Sequence, residues 1–205
     1  MGISAKQLKA SLDALAAVEP AFGAALGRIG YPPPRLRDRG YETMLRAIVG
    51  QQVSIKSAAA ILARVEAATG GIQDPANIVR TSDEDLRAAG LSRQKIAYVK
   101  SLAEEVIEGR LDFHALPADD EEAIAAMTHV KGIGRWSAEV YLLFAEGRTD
   151  IFPAGDLAVQ VEIGRILGLP ERPTEKKVRE LAEPWRPHRG AAAIFAWHHR
   201  HVVPV

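Results

Sequence analysis

Asp156 closes a loop, Phe152-Pro153-Ala154-Gly155, and opens an apolar run, Leu157-Ala158-Val159. An Asp in that place reads as a helix N-cap. A capping carboxylate accepts backbone N–H bonds, which favour its ionised form. A fixed anion of this kind stabilises positive charge that develops on a substrate. Upstream, Val130-Lys131-Gly132-Ile133-Gly134 separates an acidic-apolar run, Asp119 to Thr128, from an apolar run, Trp136 to Ala145. Two glycines one residue apart let backbone come close to another group. The run that follows begins with N–H groups that lack intrahelical partners, those of Arg135 and Trp136. With the positive end of the helix dipole they form an anion site suited to phosphate. Asp150, the other acid of the loop, reads as a loop or cap residue.

Three further groups have a chemical and a structural reading. Trp136 and Trp197 read as core aromatics on amphipathic helices, and each also carries a face that attracts a cationic ring. Gly50-Gln51-Gln52-Val53-Ser54 interrupts an apolar helix with polar side chains, and reads as a helix–helix turn capped by Ser54. His198-His199-Arg200-His201 invites a metal reading, but adjacent histidines on a helix point different ways and no partner has ligand spacing. A solvated or phosphate-facing basic end is the expectation there, and Arg186, His188 and Arg189 fit the same description.

The elements that must position these groups are helical almost throughout. Leu8, Leu12, Leu15 and Ala16 make one face of a first helix. Gly30-Tyr31-Pro32-Pro33-Pro34 breaks the chain as an extended connector. Met44, Leu45, Ile48 and Val49 recur at three-four spacing after Tyr41, and Ile55, Ala58, Ala59 and Leu62 are expected inward on the next helix. Thr81-Ser82-Asp83-Glu84 and Ser92-Arg93-Gln94-Lys95 are helix starts. Pro117, Gly147 to Pro153 and Gly168 to Pro173 are loops. No alternating strand pattern, internal repeat or low-complexity tract occurs. The expectation is an all-α chain of about nine or ten short helices.

With 205 residues the chain can bury one sizeable core or two small lobes. Its formal net charge is +0, so nucleic-acid affinity has to come from a local patch. Cys 0 excludes disulfides, thiolate catalysis and a cysteine-held iron–sulfur cluster. No run is apolar enough to span a membrane. Lys6 stands where myristoylation of Gly2 wants Ser or Thr, and no secretory pattern follows. The expectation is a cytoplasmic protein, nucleoid-associated in a bacterium, acting as a monomer.

The order YETMLRAIVGQQVSIKSA, then HVKGIGRWSAEVYLLFAEGRTDIFPAGD, then WRPHRGAAAIFAW resembles the helix-hairpin-helix DNA glycosylases over about Tyr41 to His201. Within them it is most similar to the 3-methyladenine DNA glycosylase II branch, without that branch's extra N-terminal domain. The resemblance implies a two-lobed helical fold with the DNA cleft between lobes. One lobe is expected over about 1–40 plus 150–205, the other over about 41–149 with the hairpin at 120–146. It implies excision of alkylated purines, 3-methyladenine and 7-methylguanine, from duplex DNA by base flipping. Asp156 would be the catalytic carboxylate that stabilises an oxocarbenium-like sugar. Trp136 and Trp197 would receive the cationic base. Where the branch has a pocket tyrosine, this chain has Val140 with Tyr141 beside it, and both join the candidate pocket. Gln52, with Gln51, would fill the gap left by the flipped base. Gly132, Gly134 and Arg135 would hold the phosphate. Backbone carbonyls of Thr128, Val130 and Ile133 would hold a monovalent cation, Na or K, and no other cofactor is required. Bifunctional relatives place a Schiff-base lysine where this chain has Trp136, and Lys131 lies inside the hairpin, so hydrolysis without strand cleavage is expected. Two alternatives stay open: a glycosylase for oxidised or deaminated bases, and a non-catalytic helix-hairpin-helix DNA-binding module.

Overall fold

The computed structural model describes residues 2–203, and among them there is no strand. Twelve α-helices follow one another. They are α1 (Ala5–Val18), α2 (Pro20–Ile29), α3 (Tyr41–Gly50), α4 (Ile55–Thr69), α5 (Pro75–Arg80) and α6 (Asp83–Ala88). Then come α7 (Arg93–Ile107), α8 (Asp120–Thr128), α9 (Arg135–Tyr141), α10 (Leu157–Ile166), α11 (Glu175–Ala182) and α12 (Arg189–Val202). The excess over the nine or ten expected comes from pieces such as α5. At 6 residues it is too short for a periodic pattern and is fixed by its cap, Asp74. None of the described helices is long and apolar enough to cross a membrane.

The chain forms two compact units. One joins the chain up to Arg37 with the chain from Glu139 onward; the other is Asp38–Ala138. The second boundary falls inside α9 and not near residue 150 as expected. Glu139, where the first unit resumes, is 2% exposed and ion-paired at 3.3 Å with Arg179 of α11.

In the first unit Leu8, Leu12 and Leu15 of α1 pack inward with Phe22 of α2 and Phe195 of α12. Phe22 meets Trp185 edge-on at 5.1 Å and Phe195 at 5.8 Å. Beyond α9 the chain widens into a π-helical turn, Leu142–Glu146, which ends on Gly147 at φ 76°. Its Phe144 carbonyl accepts the Arg37 N–H at 3.1 Å, a bond made outside the helix.

In the second unit the stripe predicted on α3 is inward: Tyr41, Met44, Leu45, Ile48 and Val49 are all buried. Burial pushes the Tyr41 hydroxyl's pKa up. Helix α7 buries Ile96, Val99, Leu102 and Ala103. Helix α4 departs from expectation. Of its residues only Val65 is buried, and Ile55 is 92% exposed. Ala58, Ala59 and Leu62 are not buried either. The helix reaches the core only with its second half, where Arg64 also donates to the Ala89 carbonyl at 2.8 Å. Ser54 caps its first turn as predicted, accepting from the Ser57 N–H at 3.1 Å.

Candidate active site

In the first unit, Asp156 is the N-cap of α10 and its Oδ1 accepts the Val159 N–H at 3.0 Å. The same oxygen accepts the indole N–H of Trp197, from α12, at 3.3 Å. Trp197 is half-buried, and its ring lies 5.5 Å from that of Phe144, tilted by 32°. The π-helical turn thus supplies the surface on which the indole rests. Two N–H dipoles, one from backbone and one from a side chain, converge on one carboxylate oxygen.

The loop that carries Asp156 is tied at every step. The Asp156 N–H donates to the Pro153 carbonyl at 3.0 Å, and the buried Gln160 amide donates to the Ala154 carbonyl at 2.9 Å. The Thr149 carbonyl accepts the Gly190 N–H at 2.8 Å. Gly190 has to be glycine, because a Cβ there would lie 2.7 Å from both that carbonyl oxygen and Leu143 Cδ1. Asp150 is clamped by Arg186 at 2.6 Å and Arg189 at 2.9 Å. This settles the second acid of the loop as structural. It also corrects the expectation for Arg189, whose guanidinium is shielded, whereas Arg186 stays exposed while it grips Asp150 and, through it, the loop. Glu183 holds Arg186 from the other side, and that bond keeps its own carboxyl below the usual range.

The basic tail is corrected at His199, whereas Arg200 and His201 are exposed as expected. His199 is 5% exposed, and its Nδ1 lies 2.7 Å from Oε2 of the fully buried Glu162. Arg165 pairs with the other oxygen of Glu162 at 3.0 Å. His199 faces inward because it falls one turn after the core residue Phe195. Among the described residues no group of three or more His, Cys, Asp or Glu is placed to hold a metal.

In the second unit the hairpin joins α8 to α9. Asp119 caps α8 through the N–H groups of Glu121 and Glu122, at 2.9 and 3.0 Å. Gly132 is at φ 87°, and a Cβ on it would collide with the Tyr98 ring. Gly134 differs: it is exposed, and a Cβ there would meet nothing within 4 Å. The first glycine serves the inside of the protein, and the second leaves room outside it. Next to Gly134, the Arg135 guanidinium is paired with Glu121, at 2.8 Å through Nη1. That pairing occupies the Arg135 side chain within the protein. Trp136 is 48% exposed and so is no core aromatic. Tyr141 is, at 3% exposure, whereas Val140 is partly exposed. Of the pair proposed for a pocket wall only Val140 has surface to offer.

The cation set was three carbonyls. The Val130 carbonyl accepts the Ile133 N–H at 3.1 Å, which leaves it a second lone pair. The Thr128 hydroxyl turns back on the Ile124 carbonyl at 2.9 Å, away from that set. Neutral, hard oxygen donors of this kind fit an alkali cation in chemistry.

Gln51 and Gln52 divide their roles. The Gln51 amide donates to the Gly132 carbonyl at 3.0 Å, so its side chain braces the hairpin and does not point to a partner. Gln52 is exposed and has φ 57°, the left-handed region that a side chain seldom adopts. Lys95 was missed in the sequence. Its Nζ donates to the Val49 and Gln51 carbonyls at 2.8 and 2.6 Å, and burial lowers its pKa. No local pattern announces a contact across 44 or 46 residues.

Residues 45–187 match the model of the HhH-GPD superfamily of base excision DNA repair proteins. DNA-3-methyladenine glycosylase 1 of Schizosaccharomyces pombe is 36% identical over 173 residues, 82% of this chain and 76% of that protein. The chain is similar in structure to a DNA-3-methyladenine glycosidase from Bacillus halodurans, with a TM-score of 0.85 and 32% identity over 92% of this chain and 88% of that one. It is similar also to the Schizosaccharomyces pombe 3-methyladenine DNA glycosylase Mag1 in complex with abasic DNA, with a TM-score of 0.80 and 32% identity over 94% and 97% of the two chains.

Proposed function

Given that the chain belongs to the HhH-GPD superfamily of base excision DNA repair proteins, we propose that it hydrolyses the N-glycosidic bond of alkylated purines in duplex DNA. Relatives named as 3-methyladenine glycosylases support alkylated purines as the substrate class, and to 3-methyladenine we add 7-methylguanine as a cationic purine of the same kind. The observation that carries the reading is Asp156, an anion fixed by the Val159 and Trp197 N–H groups on a braced loop. A non-catalytic hairpin module is not favoured, since the family match runs over residues 45–187, far beyond the hairpin. Nothing favours oxidised or deaminated bases over alkylated ones.

In the reaction the bond from C1′ to the base nitrogen breaks and its electron pair leaves with the base. An alkylated purine is already cationic, so it departs neutral and needs no strong general acid. Positive charge appears on the sugar, and the fixed Asp156 carboxylate stabilises it without reorganising. Water adds to C1′, loses a proton, and an abasic site remains. The face of Trp197 attracts the cationic base, an effect worth up to about 2 kcal/mol when desolvated. Gln52 occupies the stack that the base vacates, which offsets part of the few kcal/mol that flipping costs. The N–H groups after Gly134 take a backbone phosphate. Trp136 has no amine, so no Schiff base forms at that position. The hairpin carbonyls of Thr128, Val130 and Ile133 would hold a monovalent cation, which would supply positive charge toward that phosphate. The protein works on DNA as a monomer, in the cytoplasm, on the nucleoid in a bacterium.

Base release from methylated duplex by wild type and Asp156→Asn tests this reading. Asn keeps an oxygen for both N–H donors and loses the charge, so release should stop while the fold and DNA affinity persist. Half of each wild-type sample is treated with hot alkali, and strand breaks are expected only in that half. Wild-type turnover by Asp156→Asn, or breaks without alkali, would overturn it.

A further inference from the structure

Lys95, Tyr98 and Ser101 are spaced by three and six residues on α7, so they form one row along it. Each reaches a loop assigned above to DNA. Lys95 donates to the Val49 and Gln51 carbonyls, on either side of Gly50, at 2.8 and 2.6 Å. The Tyr98 ring covers Gly132 and takes the space of its missing side chain. Ser101 Oγ accepts the Lys131 N–H at 3.4 Å. The Gln51 amide, donating to the Gly132 carbonyl at 3.0 Å, joins the two loops directly. Gln52 itself sits in a backbone conformation that neighbours must hold in place.

We infer that this row of α7 is a gauge that fixes Gln52 relative to the phosphate-gripping hairpin, with Lys95 and Tyr98 as positioning residues for base extrusion. The idea rests on the glycosylase reading. A flipped base leaves its gap at a set distance along the strand from the gripped phosphate. A filler that must enter that gap gains if the distance is built in before DNA arrives, because loop ordering is then not charged against binding. The Lys95 ammonium is well suited to this. Its two bonds are charge-assisted, it sits at the negative end of α3, and half-burial shields it from water. A neutral side chain of the same length can do none of this.

The test begins with Lys95→Met, which keeps length and removes donors and charge, and with Gln51→Met, which cuts the strap between the loops. Backbone amide exchange is followed in 51–54 and in 131–134. Loss of a charge-assisted bond should speed exchange in both segments about 10-fold or more in Lys95→Met, with α12 unchanged as the check on folding. Single-turnover base release should fall by a similar factor, while affinity for undamaged duplex stays within about twofold, since the phosphate contacts themselves remain. The chain has Cys 0, so Lys95→Cys can be aminoethylated at one site, and this should restore both readouts. Faster exchange in 51–54 with none in 131–134, in either variant, would show that the loops are independent and end the proposal. So would wild-type release by Lys95→Met, or a loss that aminoethylation does not repair. A wild-type protein that releases no alkylated purine would overturn the glycosylase reading instead, and the exchange measurements would still decide whether α7 gauges the two loops.

Discussion

Trp197 is held by two partners at once: its N–H goes to Asp156 and its ring rests on Phe144. Trp197→Phe separates the two. Phenylalanine keeps an aromatic face and loses the donor to a carboxylate, a bond worth about 1.5–3 kcal/mol. Base release should slow by about 10-fold or more by the same measure, with little change in the concentration of duplex that half-saturates it. An unaltered rate would mean that the indole N–H does nothing for the carboxylate. Asp156 was legible as a cap from its neighbours in sequence, because capping is local. Its bond to Trp197 spans 41 residues and was not legible. The same holds for Asp150, whose arginines lie 36 and 39 residues away, and for His199, read as solvated and found against Glu162.

The two glycines of the hairpin make opposite demands on their element. Gly132 is at φ 87° under the Tyr98 ring, whereas Gly134 faces open space. Gly132→Ala should lower stability by more than the roughly 1–3 kcal/mol of a residue forced into the left-handed region, because its methyl must also displace the Tyr98 ring, as thermal melting would show. Gly134→Ala should melt like wild type and still bind duplex less tightly, its methyl group occupying room kept for a phosphate. Equal melting points for the two variants would refute this division. Sequence could not tell the glycines apart, because the ring over Gly132 comes from α7. Periodicity did find α1 and α3, where apolar spacing is regular, and capping signals found the starts of α4 and α7. It misjudged the inner face of α4, whose alanines suit core and surface equally, and it missed the π-helical turn after α9, which reads as more helix.

At the scale of the molecule, 26 basic and 26 acidic side chains cancel, and many are spent on one another, as Arg135 is on Glu121 and Arg189 on Asp150. Duplex binding should nonetheless weaken steeply with salt, each neutralised phosphate adding about 0.9 to the slope of log affinity against log salt. A flat salt response would exclude a grip on the backbone. The all-α class was legible because it is a sum over many local patterns; the boundary between units was not, because it falls inside α9, where no local break in the sequence marks it. The chain has three tryptophans in three surroundings: Trp185 is 3% exposed between Phe22 and Phe152, Trp197 is half-buried beside a carboxylate, and Trp136 is 48% exposed. Its ultraviolet emission is therefore a sum of three spectroscopically distinct lights. Trp185 should emit toward the blue and resist acrylamide, and Trp136 should emit toward the red and be quenched readily. Saturation with duplex should remove the quenchable red component and leave the blue one, so that the unlabelled protein reports its own engagement with DNA.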